Sequence, residues 1–167
     1  MPISTIGTNA LASSAVTRPK IGYAGAVLQV VSTTKTDSFS SSSASFVDIT
    51  GLSVAITPSS TSNKILVMVT VAVGNAINNA QLNLVRNGTN ISQSTSGTAN
   101  NTVGGNFPTN YQNITYPILY LDSPATTSAV TYKIQLGPNG STAYINVRGT
   151  DQYFGSTSTI TVMEIAA

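Results

Sequence analysis

The stretch that decides the fold is Ile65-Leu66-Val67-Met68-Val69, which continues after Thr70 as Val71-Ala72-Val73. The run is rich in β-branched residues and contains neither Gly nor Pro, so it predicts a strand over residues 64–73. Both faces of that strand are apolar, since Leu66 and Met68 alternate with valines. A strand that is apolar on both faces is expected to be buried on both.

A partner subunit is the simplest cover for the second face, because a two-layer antiparallel sandwich buries only one face of each sheet. The alternative is a long loop of the same chain lying over a central strand. We therefore predict a subunit interface, and its expected residues are Leu66, Met68, Val69 and Val71.

Short β-rich segments alternate with turns from Ala26 to the last residue. Asn87-Gly88 predicts a tight hairpin turn, since both residues tolerate a positive φ, and Pro138-Asn139-Gly140 predicts a second turn. Thr50-Gly51 is expected to separate two strands. No segment predicts a long amphipathic helix, so the predicted fold class is all-β. The predicted strands span residues 27–31, 46–49, 52–56, 64–73, 82–86, 89–92, 114–121, 130–136, 143–147 and 160–165.

Residues 1–25 differ from the rest of the chain, because apolar side chains recur there at irregular spacing among Gly, Ser, Thr and Pro. Such a segment cannot bury itself but can lie on a neighbour; a frayed terminus is the alternative. We predict an extended N-terminal docking arm over 1–25, followed by one β domain over 26–167. The residues expected to dock are Ile3, Ile6, Leu11, Val16, Arg18, Lys20, Ile21 and Tyr23.

The composition removes most catalytic and metal-binding classes. The 167 residues include seven Lys or Arg, five Asp or Glu and no His or Cys, whereas Ser, Thr and Asn number 22, 24 and 15. Without His and Cys, the commonest catalytic base, metal ligand and thiolate nucleophile are missing. No spacing singles out a pair of carboxylates for acid–base work. We expect no enzyme activity, no catalytic residue, no metal site and no cofactor.

Charge and hydropathy also limit the partners. A net charge of +2 with dispersed cations gives no basic stripe for nucleic acid. Arg86 and Arg148 are expected instead to pair across a subunit boundary or to solvate strand ends. The apolar stretch 65–73 is far shorter than the roughly 20 residues of a membrane-spanning helix, so no membrane insertion is expected. Low charge leaves sheet edges undefended against pairing, which favours burial in an assembly.

The polar segment 93–110 is long enough to be a functional loop, and recognition residues concentrate on such loops. Aromatic faces and Asn amides suit sugars, so this segment and several tyrosines predict a contact surface for host surface glycan. Packing in the core or at an interface is the alternative for the tyrosines. The candidate ligand contacts are Tyr111, Tyr116, Tyr144 and Tyr153.

Several phrases of the sequence resemble a group of short virion proteins of tailed bacteriophages. They are VLQVVSTTKTD at 27–37, SFVDITGL at 45–52, ITPSSTSNKILV at 56–67, YLDSP at 120–124 and ITVMEI at 160–165. The similarity covers roughly residues 26–167 and lies in pattern rather than in a catalytic motif. What the resemblance implies is an antiparallel, jelly-roll-like β-sandwich, usually trimeric, displayed on the particle as a decoration, fibre or knob protein.

These expectations favour a non-enzymatic virion structural protein. The leading hypothesis is a trimeric capsid decoration or cement protein that docks on the phage shell through its N-terminal arm. Its partners would be further copies of itself and the major capsid protein or another virion protein. The alternative is a host-recognition knob of a short tail or head fibre that binds surface glycan. A depolymerase is a poorer third hypothesis, because no carboxylate pair stands out.

Overall fold

The computed structural model describes residues 23–75, 79–96, 102–105, 112–138, 141–149 and 151–167. Within those ranges, no helix is long and apolar enough to cross a membrane. The strands in the described part are β1 (Val27–Lys35), β2 (Phe39–Ser41), β3 (Val47–Ile56), β4 (Lys64–Asn75), β5 (Ala80–Arg86), β6 (Thr89–Asn90), β7 (Val103–Gly105), β8 (Asn113–Asp122), β9 (Val130–Pro138), β10 (Ala143–Ile145) and β11 (Ser158–Ile165).

The strands pair as one long hairpin. β1 pairs with β11, β2 with β10, β3 with β9, β4 with β8, and β5 with both β6 and β7, all antiparallel. The hairpin is rolled up by a second set of pairs, in which β4 joins β11 and β10 while β5 joins β9. Nested pairs that roll into two sheets are the jelly-roll topology. The predicted all-β, jelly-roll-like sandwich is therefore confirmed.

Two packed sheets result from this pairing. The first contains β1, β11, β4 and β8 with the short β10 and β2, and the second contains β3, β9 and β5 with the short β6 and β7. Strand β4 sends every second side chain into the space between them, as alternation along a strand requires. These inward residues, with those of β9 and β11 that pack against them, are fully or almost fully buried: Ile65, Val67, Val69, Val71, Val73, Tyr132, Ile134, Leu136, Ile160 and Val162.

The turn at Asn87-Gly88 is confirmed. Both residues have positive φ, 47° for Asn87 and 89° for Gly88, and they join the paired strands β5 and β6. This two-residue connection is the closed end of the long hairpin. The predicted turn at Pro138-Asn139-Gly140 includes residues 139 and 140, which lie outside the described residues.

The prediction of two strands around Thr50-Gly51 is wrong. Residues 47–56 form the single strand β3, and the register against β9 shifts between Asp48 and Ser53. Gly51 adopts φ 81° there, which glycine tolerates at no steric cost. The shift lets Ile49 and Leu52, three residues apart, both point into the core. Gly51 therefore bends a strand where the sequence suggested an end.

The described chain begins beside its own C-terminus. Gly25 N donates to Ala166 O and Ala166 N donates to Ala26 O, at 2.8 and 2.9 Å, so the entry to β1 is tied to the exit of β11. Tyr23, the one predicted docking residue within the described ranges, is 83% exposed. The other predicted arm residues, Ile3, Ile6, Leu11, Val16, Arg18, Lys20 and Ile21, lie outside the described residues.

One end of the sandwich is closed around a buried acid, Glu164 on β11. Its Oε1 accepts hydrogen bonds from Ser59 N, Ser59 Oγ and Asn63 Nδ2 at 2.6 to 2.7 Å, and its Oε2 accepts one from Gln29 Nε2 at 2.6 Å. Burial disfavours the charge, but these donors outweigh it and hold the pKa of Glu164 below its ordinary value of 4.5. The carboxylate thus fastens the β3–β4 connection to β1 and β11.

Replacing Glu164 by Gln is expected to lower the free energy of unfolding at pH 7 by about 2 kcal/mol, because an amide NH₂ would face the donors that now converge on an oxygen. The folded pKa lies below 4.5. The stabilisation is therefore present above pH 4.5 and is lost as the pH falls through the lowered pKa. Urea unfolding of both proteins across a pH series measures the two effects.

Asp48→Asn is the matched control, because the Asp48 carboxylate is half exposed and pairs with Lys133 at the surface. Its loss at pH 7 is expected to stay under about 1 kcal/mol. Equal losses in the two variants at pH 7, or a Glu164→Gln deficit that does not shrink in acid, would contradict the assignment.

Candidate functional site

The outer sides of the two sheets differ in chemistry. On β3 and β9 the outer side is polar: the Asp48 carboxylate accepts hydrogen bonds from Lys133 Nζ and Gln135 Nε2. On β1, β11, β4 and β8 the outer side is apolar over several residues. A solvated face of an antiparallel sheet ordinarily carries polar side chains, so the second surface needs a cover or a partner.

The apolar surface is continuous because of the strand register. Residues directly opposite each other in an antiparallel ladder point to the same face. Leu66 lies between Met163 of β11 and Leu121 of β8, and Val30 of β1 lies opposite Met163. In the next row Met68 lies opposite Leu119. We call this surface the outer apolar face, and its residues are Val30, Leu66, Met68, Leu119, Leu121 and Met163.

The outer apolar face is exposed to solvent. Leu119 is 71% exposed, Leu121 56%, Val30 54% and Met68 42%. A shallow groove of about 350 Å³ runs over the face, bounded by Met68, Thr70, Pro117, Leu119, Thr159 and Thr161. Among the described strands, β8 pairs with β4 alone, so its other edge is unpaired there. An apolar face beside an open edge is typical of a protein interaction site.

The predicted subunit interface is corrected for two of its four residues. The side chains of Val69 and Val71 are buried between the sheets of their own chain, so they do not lie on the outer side. Leu66 and Met68 do lie on the outer side. Sequence reasoning missed Leu119 and Leu121. Residues 118–121 are apolar on both faces of the strand, and the same pattern led to the prediction for residues 65–73.

A second surface is built on the connection between β10 and β11, residues 146–157, which we call the aromatic loop. Its base is Asn146, which is buried at φ 65°. Asn146 Nδ2 donates to the carbonyl oxygens of Lys35 and Asp37, both at 2.9 Å, and Asn146 Oδ1 accepts from Ser158 Oγ at 2.6 Å. Asn146 N also donates to Ala72 O at 2.9 Å. These bonds fix where the loop leaves the sheet.

Gly74 lets the aromatic loop lie directly on β4. A Cβ at this position would stand 2.3 Å from Val147 O and 2.9 Å from both Arg148 Cα and Gly149 N. All three are backbone atoms, which cannot rotate away as the tip of a side chain could. The loop therefore covers the outer side of β4 near Gly74, and the outer apolar face occupies the same sheet farther along the strand.

The tip of the aromatic loop holds two exposed rings in fixed positions. Tyr153 is 75% exposed and Phe154 58%. Their rings meet edge to face, with centroids 5.2 Å apart. The Arg148 guanidinium lies 4.7 Å from the Phe154 centroid and 5.4 Å from the Tyr153 centroid, within cation–π range. Asp151 binds the same guanidinium with both oxygens, and Arg148 lowers the pKa of Asp151 to about 2.

A cleft of about 540 Å³ opens beside these rings, between the aromatic loop and the start of β8. Asn113 Nδ2 donates to Ser156 Oγ at 2.8 Å across it. The other amide atoms there are unusual, because Asn113 Oδ1 and Gln112 Oε1 are buried and have no hydrogen-bond partner. Buried polar atoms are normally paired. The cleft is lined by Gln112, Asn113, Ile114, Arg148, Phe154 and Ser156.

The three described tyrosines among the four predicted ligand contacts are not brought together. Tyr153 is at the tip of the aromatic loop, whereas Tyr116 packs against the core from β8, where burial raises its pKa. Tyr144 is half-buried on β10, opposite Gly74. Tyr111 lies outside the described residues. Sequence reasoning missed Phe154 and Arg148; the adjacent pair Tyr153-Phe154 was the available signal.

The two arginines expected at a subunit boundary are paired within the chain. Arg148 binds Asp151, and Arg86 Nη1 donates to both oxygens of Asp122 at 2.8 Å. Tyr132 OH donates to the same carboxylate at 2.6 Å, and burial together with this bond raises the pKa of Tyr132. The intrachain pair with Asp122 contradicts the first interpretation of Arg86, a pair across a subunit boundary, because Arg86 joins β5 to β8 across the two sheets.

All five acids of the chain have structural partners. Asp37, Asp48, Asp122 and Asp151 form ion pairs with Lys35, Lys133, Arg86 and Arg148, and Glu164 is held by neutral donors. The described residues contain no group of three or more acidic, His or Cys side chains that could hold a metal ion. Neither surface therefore presents an unpaired carboxylate for acid–base chemistry.

Comparison with models of known protein families finds no match, and comparison with curated protein sequences finds none either. Solved structures do match: a mutant VP2 of infectious bursal disease virus in T=1 particles (TM-score 0.41, 15% identity), its VP2 subviral particle (0.39, 13%) and its Gx strain (0.40, 16%). The match covers 83% of this chain but only 36% or 37% of the viral chains. The jelly-roll assignment rests on the strand pairing, not on these similarities.

Replacing Gly74 by Ala is expected to cost about 1–3 kcal/mol of stability, because the new methyl group overlaps the backbone of the aromatic loop. Urea unfolding measures the loss, and backbone amide shifts should move in residues 146–157 more than in β3. Gly155→Ala is the matched control, since a Cβ there meets nothing within 4 Å. Equal effects of the two substitutions would show that the loop does not depend on its contact with Gly74.

Proposed function

We propose that this protein is a non-enzymatic structural protein of a virion, and specifically a homotrimeric capsid decoration protein that docks through its N-terminal arm. The observation that carries the proposal is the outer apolar face, a solvent-exposed hydrophobic surface on one sheet of a jelly roll whose other sheet is polar outside. The resemblance of several sequence phrases to short virion proteins of tailed bacteriophages supports the same role.

A second copy of the chain is the occupant that the outer apolar face fits best. None of its six residues is charged, so like surfaces can approach without repulsion. Fully burying Leu119 or Met68 contributes about 1.5–3 kcal/mol each, and several such residues exceed the side-chain entropy that is lost on ordering them.

The size of the outer apolar face indicates how much of a subunit interface it can supply. Each of its six residues occupies about 4.8 Å by 6.8 Å of the sheet, so the face covers roughly 200 Å², about a quarter of the ~800 Å² that each partner buries in a standard interface. The edge of β8 that has no partner among the described strands could supply further contact. The arm would add contact area against the shell rather than between copies, and its predicted docking residues include six large apolar side chains.

A role in assembly accounts for the scarcity of charge and of reactive groups. The chain has 12 charged residues among 167, and every acid already has a partner within the fold. Such a protein can contribute contacts, but it lacks a free acid–base pair for turnover. The shell contact is assigned to residues 1–25, and the major capsid protein is the proposed partner there.

Replacing Leu119 by Lys is expected to convert the trimer to a monomer, because a buried ammonium without a partner opposes association. Sedimentation velocity at micromolar concentration measures the change. Ala55→Lys is the matched control: Ala55 is exposed on β3, in the outer side of the other sheet, so the oligomer should persist. A wild-type protein that sediments as a monomer, or an Ala55→Lys variant that also dissociates, would refute the interface.

Deleting residues 1–22 is expected to abolish retention on purified capsids while leaving the trimer intact. The cut falls before Gly25 and Ala26, whose bonds to Ala166 close the domain. Co-sedimentation of the shortened protein with capsids that lack it measures retention, and sedimentation velocity checks the oligomer. Undiminished retention would remove the arm from the docking role.

A further inference from the structure

We propose that the cleft between the aromatic loop and the start of β8 is a binding site for a neutral carbohydrate. The site is distinct from the contacts used in assembly and gives the protein a recognition function beyond decoration. The argument rests on the two exposed rings, on the two unpartnered amide oxygens and on the rigid base of the loop.

The rings supply a platform for the C–H face of a sugar. Phe154 lines the cleft, and Tyr153 meets it edge to face. Large aromatic side chains exposed to this degree are unusual in a protein with so few of them: the chain has four Phe, seven Tyr and no Trp. Aromatic rings have a large apolar surface. Stacking the apolar face of a ligand on them removes that surface from water, which favours binding.

The amides supply the polar half of the site. Asn113 Oδ1 and Gln112 Oε1 can each accept hydrogen bonds, yet they have no partner in the fold. Leaving such an acceptor unsatisfied is unfavourable, since it has lost its bonds to water without gaining one in the fold. A ligand that donates hydroxyl hydrogens can satisfy these acceptors once the amides turn toward the cleft, because both oxygens are buried in the unliganded fold. Ser156 Oγ, which accepts from Asn113 Nδ2, adds a hydroxyl that can donate or accept.

The charge of the cleft selects a neutral ligand. Arg148 lines the cleft, but its guanidinium is bound by both oxygens of Asp151, so the pair presents no net charge to a ligand. An anionic ligand would compete with Asp151 for Arg148, and a cation would find no free carboxylate. A combination of apolar rings, free amide acceptors and no net charge matches the two-sided chemistry of an uncharged sugar.

The site is held in place before any ligand arrives. Asn146 fixes the base of the loop by its bonds to Lys35, Asp37 and Ser158, and Gly74 allows the loop backbone to rest on β4. Arg148 fixes the rings by lying between them and Asp151. Because these contacts already fix the groups of the site, binding a ligand costs little conformational entropy. The volume of about 540 Å³ suits one or two sugar rings.

The cleft stays open when the outer apolar face is covered. Asn113 and Leu119 lie on the same strand β8, six residues apart, which corresponds to about 20 Å. The aromatic loop stands over the Gly74 end of β4, whereas Leu66 and Met68 lie toward its start. Assembly through one surface therefore leaves the other accessible.

A printed array of neutral, sulfated and sialylated oligosaccharides tests the proposal on the full-length protein. The expected result is binding to neutral glycans, followed by at least tenfold weaker binding for Phe154→Ala and for Asn113→Ala. Phe154→Trp should retain binding, because it keeps an aromatic platform. Tyr23→Ala is the matched control, since it removes a ring that is 83% exposed but stands outside the cleft. Thermal unfolding confirms that each variant is folded.

Titrating the ¹⁵N-labelled protein with the strongest neutral array ligand provides a second readout. The side-chain NH₂ signals of Gln112 and Asn113 should shift. A silent array, binding unchanged by Phe154→Ala, or preference for the charged glycans would each overturn the proposal. Loss of capsid retention by Phe154→Ala without any glycan binding would reassign the rings to a protein contact. Sedimentation of the same variants is independent of these results, so failure here is distinguishable from failure of the trimer.

Discussion

Strand β4 has hydrogen-bonded neighbours on both of its edges, with β11 and β10 on one side and β8 on the other. Its inward side chains supply the centre of the core, and its outward side chains carry the middle of the outer apolar face. Near its end, Gly74 has no side chain, and that absence is what admits the aromatic loop. Strand β4 therefore contributes to the core, to the outer apolar face and to the seat of the aromatic loop. The alternation of its side chains determines which residues pack inside and which lie on the outer side.

The few charged side chains of the described residues mostly form ion pairs or hydrogen bonds within the fold. Arg86 and Asp122 join the two sheets, Arg148 and Asp151 hold the rings of the aromatic loop, and Glu164 closes one end of the sandwich through neutral donors. Partly buried pairs and hydrogen-bonded carboxylates fix geometry more than they add stability. The outer apolar face carries no charged residue, and in the cleft Arg148 is paired with Asp151. Both surfaces therefore suit an uncharged partner: another copy of the chain for the face and a neutral ligand for the cleft.

The strands and the Asn87-Gly88 turn could be predicted from the sequence because they depend on local signals: β-branched runs and residues that tolerate positive φ. The short strands β2 and β7 were not predicted, because they contain few apolar residues. They form by pairing with β10 and β5. Gly51 was misread for a similar reason. Whether a glycine ends a strand or bends it depends on the partner strand, which local sequence does not reveal.

The surfaces were harder to predict than the strands. Residues 65–73 showed that two apolar faces exist, but only the sheet packing determines that Val69 and Val71 belong inside. The row from Leu66 to Leu121 depends on the register of β4 against β8, and the cleft depends on Asn146 bonding to residues more than 100 positions earlier in the chain.

The separation of the two surfaces has a consequence for recognition. The proposed trimer would bury three outer apolar faces and carry three clefts, each formed by its own aromatic loop. Rigid clefts on one particle can engage a repeating polymer at several points, so that binding which is weak at a single cleft becomes strong overall. The proposed assembly and the proposed recognition would then act together through the same jelly roll.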